Sequence, residues 1–200
     1  MNAKKETKQK KKSKGIFLLA VAIAGSVLAT GLFVGLMKNS ESLVGLYEPR
    51  VELIDSFSAQ GKLYLVMRPG LFIGLFLFSV TIMIMGLRIF TGKSNPVKYE
   101  DPFIIGALNR ILLNSLEQTV IFLLSYSYFV FFVCTQNQAR KAYFLASLFV
   151  LARIIFLITY SVGVAVNVPS LRSVGFWMNV LVQTTLFAEN LGIPAIQAIF

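Results

Sequence analysis

The chain has 200 residues, of which 56% are hydrophobic and only 14% are charged, and its mean hydropathy is +0.72. A water-soluble globular protein usually carries about 25% charged residues, so this composition is typical of an integral membrane protein. The sequence contains no histidine and a single cysteine. These counts exclude a Ser-His-Asp triad, an HExxH zinc site, a His-ligated haem, an internal disulfide and a multi-cysteine metal site, and we predict no metal site.

The amino-terminal segment, residues 1–15, carries most of the net charge of +10. It holds seven lysines against one glutamate, a formal charge of +6. Such a segment cannot bury apolar area, so we predict a disordered cytoplasmic tail that is attracted to anionic lipid headgroups. No aromatic residue lies among the lysines, which argues against a nucleic-acid partner.

Five apolar stretches follow the tail, and we predict a membrane-spanning helix in each. The first, residues 16–37, has 22 residues without a charge, enough to cross a hydrocarbon core of about 30 Å. An extramembrane loop, residues 38–62, separates it from a four-helix membrane domain, residues 63–200. We predict the four spans of this domain at residues 63–90, 101–133, 142–166 and 175–191. Arg68-Pro69-Gly70 interrupts the first of these four and leaves a continuous apolar core at residues 71–87.

The lysine and arginine counts set the predicted orientation of the spans. With the tail inside, the inner side holds 11 of these residues and the outer side holds 6. Cytoplasmic segments carry the excess of positive charge in membrane proteins. We therefore predict a cytoplasmic amino terminus and a carboxyl terminus on the outer side.

Charged side chains inside the predicted spans mark the candidate site, because each costs at least about 2.5 kcal/mol at membrane depth. At 100° per residue, Arg110, Asn114 and Glu117 fall on one face of the third span, where the asparagine can bridge the two charges. By the same spacing, Arg153 and Tyr160 share a face of the fourth span. One face offers a cation and a carboxylate, and the other offers a cation and a phenol.

The spans and their inner ends hold more cations than anions. Arg88, Arg110, Arg153 and Arg172 lie in the spans or at their inner ends, whereas the carboxylate that lies deep inside a span is Glu117. An interhelical ion pair would explain part of this set structurally, but it leaves an excess of positive charge. Guanidinium groups bind carboxylates at two points, so we expect a small polycarboxylate that enters from the cytoplasmic side. A small channel or transporter is an alternative, since buried charges also mark ion paths.

Three short motifs resemble one family of membrane proteins. Residues 110–117 (RILLNSLE) resemble the Arg-xxx-Asn-xx-Glu signature on the second helix of the MAPEG superfamily, the membrane-associated proteins in eicosanoid and glutathione metabolism. Residues 153–160 (RIIFLITY) are similar to the family's third-helix pattern of an arginine followed by two ring residues. Residues 169–174 (PSLRSV) are similar to the Pro-x-Arg-Ser stretch of the prostaglandin E synthase branch. The motifs occur in the family's order and cover about residues 65–190.

The resemblance implies an all-α integral membrane protein with a MAPEG-like four-helix transmembrane bundle, here with residues 16–37 as one extra amino-terminal transmembrane helix. It also implies a homotrimer that binds the cosubstrate glutathione between neighbouring subunits. The residues that would hold glutathione are Arg88, Arg110, Asn114, Glu117, Arg153 and Tyr160. Arg172, assisted by the hydroxyl of Ser173, would stabilise the glutathione thiolate, because an adjacent cation lowers the pKa of a thiol.

The implied activity is that of a glutathione-dependent transferase or peroxidase, which acts on lipophilic electrophiles from an endoplasmic reticulum or other endomembrane bilayer. Two positions depart from the family pattern. Gln118 replaces a tyrosine that several members carry, and Phe156 cannot donate a hydrogen bond. The amino-terminal helix and residues 114–119 are also similar to the mattrin-like branch, which has barrier or trafficking roles. The alternative function is therefore a non-catalytic membrane scaffold or a lipid-binding protein.

Overall fold

The computed structural model describes residues 24, 27, 31–48, 50–92, 103–166 and 168–193, and every regular element in this part of the chain is helical. The predicted tail and most of the predicted first span lie outside the described residues. The helices are α1 (which includes residues 31–38), α2 (Ser40–Tyr47), α3 (Val51–Asp55), α4 (Ala59–Phe90), α5 (Phe103–Tyr128), α6 (Ala139–Ala165) and α7 (Ser173–Asn190). A π-helical turn, Phe129–Val133, continues α5, and 3₁₀ turns at Gln136–Gln138 and Pro169–Arg172 precede α6 and α7.

Three of the described helices are long and apolar enough to cross a membrane: Ala59–Phe90, Phe103–Val133 and Gln136–Ala165. They match the second, third and fourth predicted spans, which confirms the prediction of an all-helical membrane protein. The fifth predicted span is also helical, as the 18-residue helix α7, but α7 is less apolar and is not one of these three. Helix α7 packs mainly against α6.

The long helices alternate in direction along the bundle. Tyr126, near the end of α5, contacts both Leu65 near the start of α4 and Ala142 near the start of α6. Gln183 in the second half of α7 contacts Gln118 on α5. The starts of α4 and α6 therefore lie at one end of the bundle, together with α2 and α3, and we call this the loop end. The α6–α7 connection lies at the opposite end.

Helix α4 runs through Pro69 without a break, so the interruption of the apolar pattern at residues 68–70 does not end the helix. Proline has no N–H, and the carbonyl of Leu65 therefore loses its usual donor within the helix. The buried Tyr126 hydroxyl supplies a donor there, and its one hydrogen is shared between the carbonyl oxygens of Leu65 at 3.3 Å and Ala142 at 3.1 Å. Because an unsatisfied carbonyl inside a membrane is costly, this hydroxyl lets α4 continue through the proline.

The Tyr126→Phe substitution should destabilise the protein by about 1–2 kcal/mol, because it removes a buried hydrogen-bond donor. In a Pro69→Ala background the helix regains its own N–H for Leu65, so the same substitution should cost clearly less. Thermal unfolding of the four proteins in detergent gives this double-mutant cycle. Equal costs of Tyr126→Phe in the two backgrounds would show that the tyrosine does not act on Leu65.

The predicted extramembrane loop, residues 38–62, is largely helical and contacts the bundle. It contains α2, α3 and the first turn of α4, which begins at Ala59. The Asp55 carboxylate at the end of α3 pairs with the Arg140 guanidinium on α6. The amide of Gln136 also donates to the carbonyl oxygen of Asp55 at 2.7 Å. These contacts hold α3 against the turn between α5 and α6.

A buried carboxylate also connects the loop to the bundle. Glu48, directly after α2, accepts hydrogen bonds from the hydroxyls of Tyr64 on α4 at 2.8 Å and Tyr143 on α6 at 2.6 Å. The Arg68 guanidinium donates to the Tyr64 hydroxyl, and its Nε lies 3.3 Å from Oε2 of Glu48. The loop carboxylate is thus shared by two long helices.

The Glu48 network predicts a stability that is lost in acid. Burial by itself raises the pKa of Glu48, but hydrogen bonds from Tyr143, the backbone of Arg50 and Tyr64, together with the charge of Arg68, bring it below the ordinary value of 4.5. A depressed pKa contributes stability that is present above the unfolded pKa and lost as the pH falls through the folded pKa.

We therefore expect the melting temperature of the wild-type protein in detergent to fall more steeply below about pH 4.5 than that of Glu48→Gln, which cannot ionise. The control is Glu52→Gln, at an exposed position on α3. It should melt with the pH dependence of the wild type. The expectation would be contradicted if the melting temperature of Glu48→Gln fell with pH as steeply as that of the wild type.

Candidate functional site

The connection between α6 and α7 forms one wall of the candidate site. Residues Pro169–Arg172 form a 3₁₀ turn that leads directly into α7 at Ser173. Side chains three residues apart lie on the same side of such a turn, so Ser170 and Ser173 face one way. Gly175 then lets α7 approach α6 closely, because a Cβ atom there would lie only 2.5 Å from the backbone nitrogen of Phe156. The turn is therefore held tightly against the second half of α6.

A cavity of about 440 Å³ lies beside this turn, and we call it the Arg172 cavity. Its lining residues are Asn114, Phe156, Ser170, Arg172, Ser173 and Phe176. The volume lies in the range of about 300–1,000 Å³ that is usual for small-molecule sites. The Oγ atoms of Ser170 and Ser173 are buried and have no hydrogen-bond partner among the described residues. Since buried hydroxyls are normally paired, the cavity offers two free hydroxyls to a polar ligand.

The predicted catalytic pair, Arg172 and Ser173, lies in this one cavity. The Arg172 side chain is exposed, and its guanidinium carbon lies 5.8 Å from the centroid of the Tyr160 ring. The Tyr160 ring is itself tilted against Phe156, with 5.6 Å between the ring centroids. A cation near an aromatic ring is attracted to it, so Tyr160 positions the Arg172 guanidinium.

Arg153 lies deep inside the bundle and reaches the cavity only through another residue. It is 1% exposed, and its Nη1 donates to Oδ1 of Asn114 at 3.2 Å. Its guanidinium carbon lies 5.7 Å from the ring centroid of Phe149 and 5.1 Å from that of Phe156. The Nε and Nη2 atoms have no hydrogen-bond partner within the described part of the chain. Arg153 therefore fixes the amide of Asn114, which lines the cavity.

Arg110 and Glu117 lie on the exposed face of α5. Neither forms an ion pair with any other residue that the structure describes. At 1.5 Å per residue, Glu117 lies about 2 Å and Arg110 about 12 Å from the middle of the apolar segment Phe103–Val133. Charges exposed to lipid at these depths are costly, so this face calls for a polar ligand or another protein surface.

One further predicted residue does not line the cavity, and two residues that were not predicted do. Arg88, in the last turn of α4, is half-buried and does not belong to the cavity lining. Phe176, which lines the cavity, matches no pattern that would select it from the sequence. Ser170 could have been found from its spacing of three residues to Ser173 in a turn that begins with proline.

Gln118 has a structural contact in place of a ligand contact. Its Oε1 accepts hydrogen bonds from Asn179 Nδ2 and Gln183 Nε2 on α7, both at 2.8 Å. Asn179 is fully buried. Such interhelical amide contacts stabilise helix pairs in membranes, so Gln118 joins α5 to α7.

Comparison with known proteins places the chain in a family. No curated protein and no solved structure matches it. A family model with the description MAPEG family matches residues 66–192, which include α5, α6, α7 and most of α4. This match covers more than half of the chain and confirms the resemblance carried by residues 110–117. The protein is therefore a member of the MAPEG family.

Proposed function

We propose that the protein binds glutathione between subunits and acts as a glutathione-dependent transferase or peroxidase on lipophilic electrophiles. The observation that carries this proposal is the Arg172 cavity. There an exposed guanidinium and the unpartnered hydroxyls of Ser170 and Ser173 lie beside Asn114. The guanidinium can only donate hydrogen bonds, and the hydroxyls and the amide can donate as well. The cavity therefore suits a ligand that carries negative charge.

The charges of the site fit the groups of glutathione, a tripeptide with two carboxylates, one ammonium group and one thiol. Arg110 can bind a carboxylate at two points, and Glu117 can accept from the ammonium group. Arg172 and Ser173 can together hold a negatively charged sulfur. Arg153 acts on the ligand only through Asn114, as a positioning residue.

The chain's own residues divide the chemistry between them. Bound glutathione supplies the nucleophilic thiolate. Arg172 favours the thiolate over the thiol by its positive charge, so the thiol proton is released to water, and Ser173 donates a hydrogen bond to the sulfur. Phe156 and Phe176 give the cavity an apolar wall, against which a lipophilic electrophile from the bilayer can pack.

The proposed assembly is a homotrimer. Members of the MAPEG family are usually oligomeric. The exposed positions of Arg110 and Glu117 support a subunit interface along α5, because a neighbouring subunit would remove both charges from lipid. Chemical crosslinking of the detergent-solubilised protein should then give a trimer.

The proposed orientation places the amino terminus in the cytoplasm and the Arg172 cavity at the cytoplasmic face of the endoplasmic reticulum or another endomembrane. The lysine-rich residues 1–15 support it. Protease protection of an amino-terminal tag in sealed microsomes tests it, since a cytoplasmic tag is digested without detergent.

The alternative is a non-catalytic family member that serves as a membrane scaffold or binds lipid. Two observations favour it. Phe156 lines the cavity without a hydrogen-bond donor, and the Gln118 side chain is occupied by α7. Fewer donors then remain for a ligand. Binding of glutathione without turnover would select this alternative.

The experiment that tests the proposal is calorimetric titration of glutathione into the detergent-solubilised protein. We expect saturable binding by the wild type and at least about tenfold weaker binding by Arg110→Ala and by Glu117→Gln. The matched control is Arg50→Ala, which removes an exposed arginine at the loop end and should bind like the wild type. No saturable binding to the wild type at millimolar glutathione would sink the proposal.

A further inference from the structure

A second cavity lies at the loop end, between α4 and α6. Its volume is about 250 Å³, and its lining residues are Arg68, Pro69, Phe72, Tyr143, Ser147 and Val150. Arg68 and Tyr143 lie near the starts of their helices, whereas Arg172 follows the end of α6. The two cavities therefore lie at opposite ends of the bundle, and we call this one the Arg68 cavity.

Arg68 brings a positive charge to the cavity wall, while its counter-charge is enclosed elsewhere. The Glu48 side chain is 0% exposed and does not line the cavity, whereas the Arg68 side chain is 30% exposed. Nη1 of Arg68 donates to the Tyr64 hydroxyl, and Nε lies beside Glu48. Among the described residues Nη2 has no hydrogen-bond partner, so it remains available to a ligand. A ligand in the cavity therefore contacts the Arg68 guanidinium and not the Glu48 carboxylate.

The Arg68 cavity lies just inside the level of the lipid headgroups. At 1.5 Å per residue, Arg68 is about 10 Å from the middle of Ala59–Phe90, and Tyr143 is about 11 Å from the middle of Gln136–Ala165. A hydrocarbon core about 30 Å thick ends about 15 Å from its middle. An arginine just inside this boundary can extend its guanidinium to the headgroups. Phe72, at the cavity rim, is 49% exposed and can pack against acyl chains.

We propose that the Arg68 cavity binds the phosphate of a phospholipid from the leaflet at the loop end. The guanidinium of Arg68 binds the phosphate oxygens, and Phe72 and Val150 contact the acyl chains. Guanidinium groups match phosphate geometry, and basic pockets between transmembrane helices bind lipid headgroups. No residue lines both this cavity and the Arg172 cavity, so the lipid site is separate from the proposed glutathione site.

The test compares phosphatidic acid with a diacylglycerol of the same acyl chains, which lacks only the phosphate. Native mass spectrometry of the full chain in detergent counts the lipid that each protein retains. We expect at least about tenfold more phosphatidic acid than diacylglycerol on the wild type. Glycerol 3-phosphate, which has no acyl chains, should not displace the lipid. Its displacement of the lipid would assign the cavity to free phosphates and overturn the proposal.

The variants separate the phosphate contact from folding. Arg68→Gln alone would leave Glu48 buried without its cation, so we combine it with Glu48→Gln. This pair should lose most of the preference for phosphatidic acid. The matched control, Arg140→Gln with Asp55→Asn, removes another ion pair at the loop end and should keep the preference.

Ser147→Met provides a second line of test, because it fills the cavity and leaves both charges in place. It should also lose most of the bound phosphatidic acid, and it decides the matter if the paired variant does not fold. The proposal would be overturned if the folded variants retained as much phosphatidic acid as the wild type does. It would also be overturned if the wild type retained phosphatidic acid and diacylglycerol equally.

Discussion

Replacing Arg172 by alanine should lower kcat/KM of the proposed glutathione-dependent reaction by about 10²–10³-fold. Removing one preorganised donor to a developing negative charge typically costs this much. Arg172 lines the cavity beside the unpartnered hydroxyl of Ser173, and Tyr160 positions its guanidinium. The measurement is the rate of conjugation of a lipophilic electrophile by the purified protein, together with the ultraviolet absorbance of the bound thiolate.

Two further substitutions make the Arg172 result specific. Arg172→Lys keeps the charge but loses the planar two-point donor, so it should recover part of the rate. Arg50→Ala removes an exposed arginine at the other end and should leave the rate unchanged. If Arg172→Ala binds glutathione and turns over like the wild type, Arg172 is not a catalytic residue. If the wild type binds glutathione without any turnover, the scaffold function replaces the enzymatic one.

The Gly175→Ala substitution should both destabilise the bundle and weaken ligand binding. The new Cβ would lie 2.5 Å from N, 2.6 Å from Cα and 2.9 Å from Cβ of Phe156, so backbone atoms, and not a flexible side chain, would have to move. Overpacking of this kind costs about 1–3 kcal/mol. Because Phe156 and the neighbouring Ser173 both line the Arg172 cavity, separation of α6 from α7 should distort it.

Thermal unfolding in detergent and calorimetric titration of glutathione check the two effects of Gly175→Ala. The control is Gly74→Ala on α4, where an added Cβ meets no atom within 4 Å. This substitution should change stability by less than about 1 kcal/mol and leave binding intact. Equal melting temperatures for the two variants would show that the close contact between α6 and α7 is not required.

The helices and the family were within reach of the sequence because their signals are local. Long runs of mostly apolar residues predict membrane-spanning helices from length and composition alone, and three of the predicted spans are confirmed as long apolar helices. The motif in residues 110–117 needs only the fixed spacing of one helix face, and it led to the MAPEG family. The same spacing selected Asn114, and the resemblance of residues 169–174 selected Arg172 and Ser173. These three residues line one cavity.

Side-chain partners far apart in the chain depend on how the helices pack, and the sequence pattern does not encode that packing. Glu48 and Tyr143 are 95 positions apart, and nothing local to either predicts their hydrogen bond. Proline removes the N–H that would bind the Leu65 carbonyl within α4, and a tyrosine from another helix supplies a donor there.

Composition, apolar length and helical spacing by themselves determined that this protein is an all-helical membrane protein with cationic side chains in its spans, and the resemblance of three short motifs pointed to the MAPEG family. Only the tertiary structure decided which polar groups are enclosed and which stay open. It buried Arg153 against Asn114, left Arg110 and Glu117 on the surface of α5, and enclosed Glu48 behind Arg68. The physical reason is that the free energy of a charge inside a membrane depends on its neighbours in space, which come from other helices.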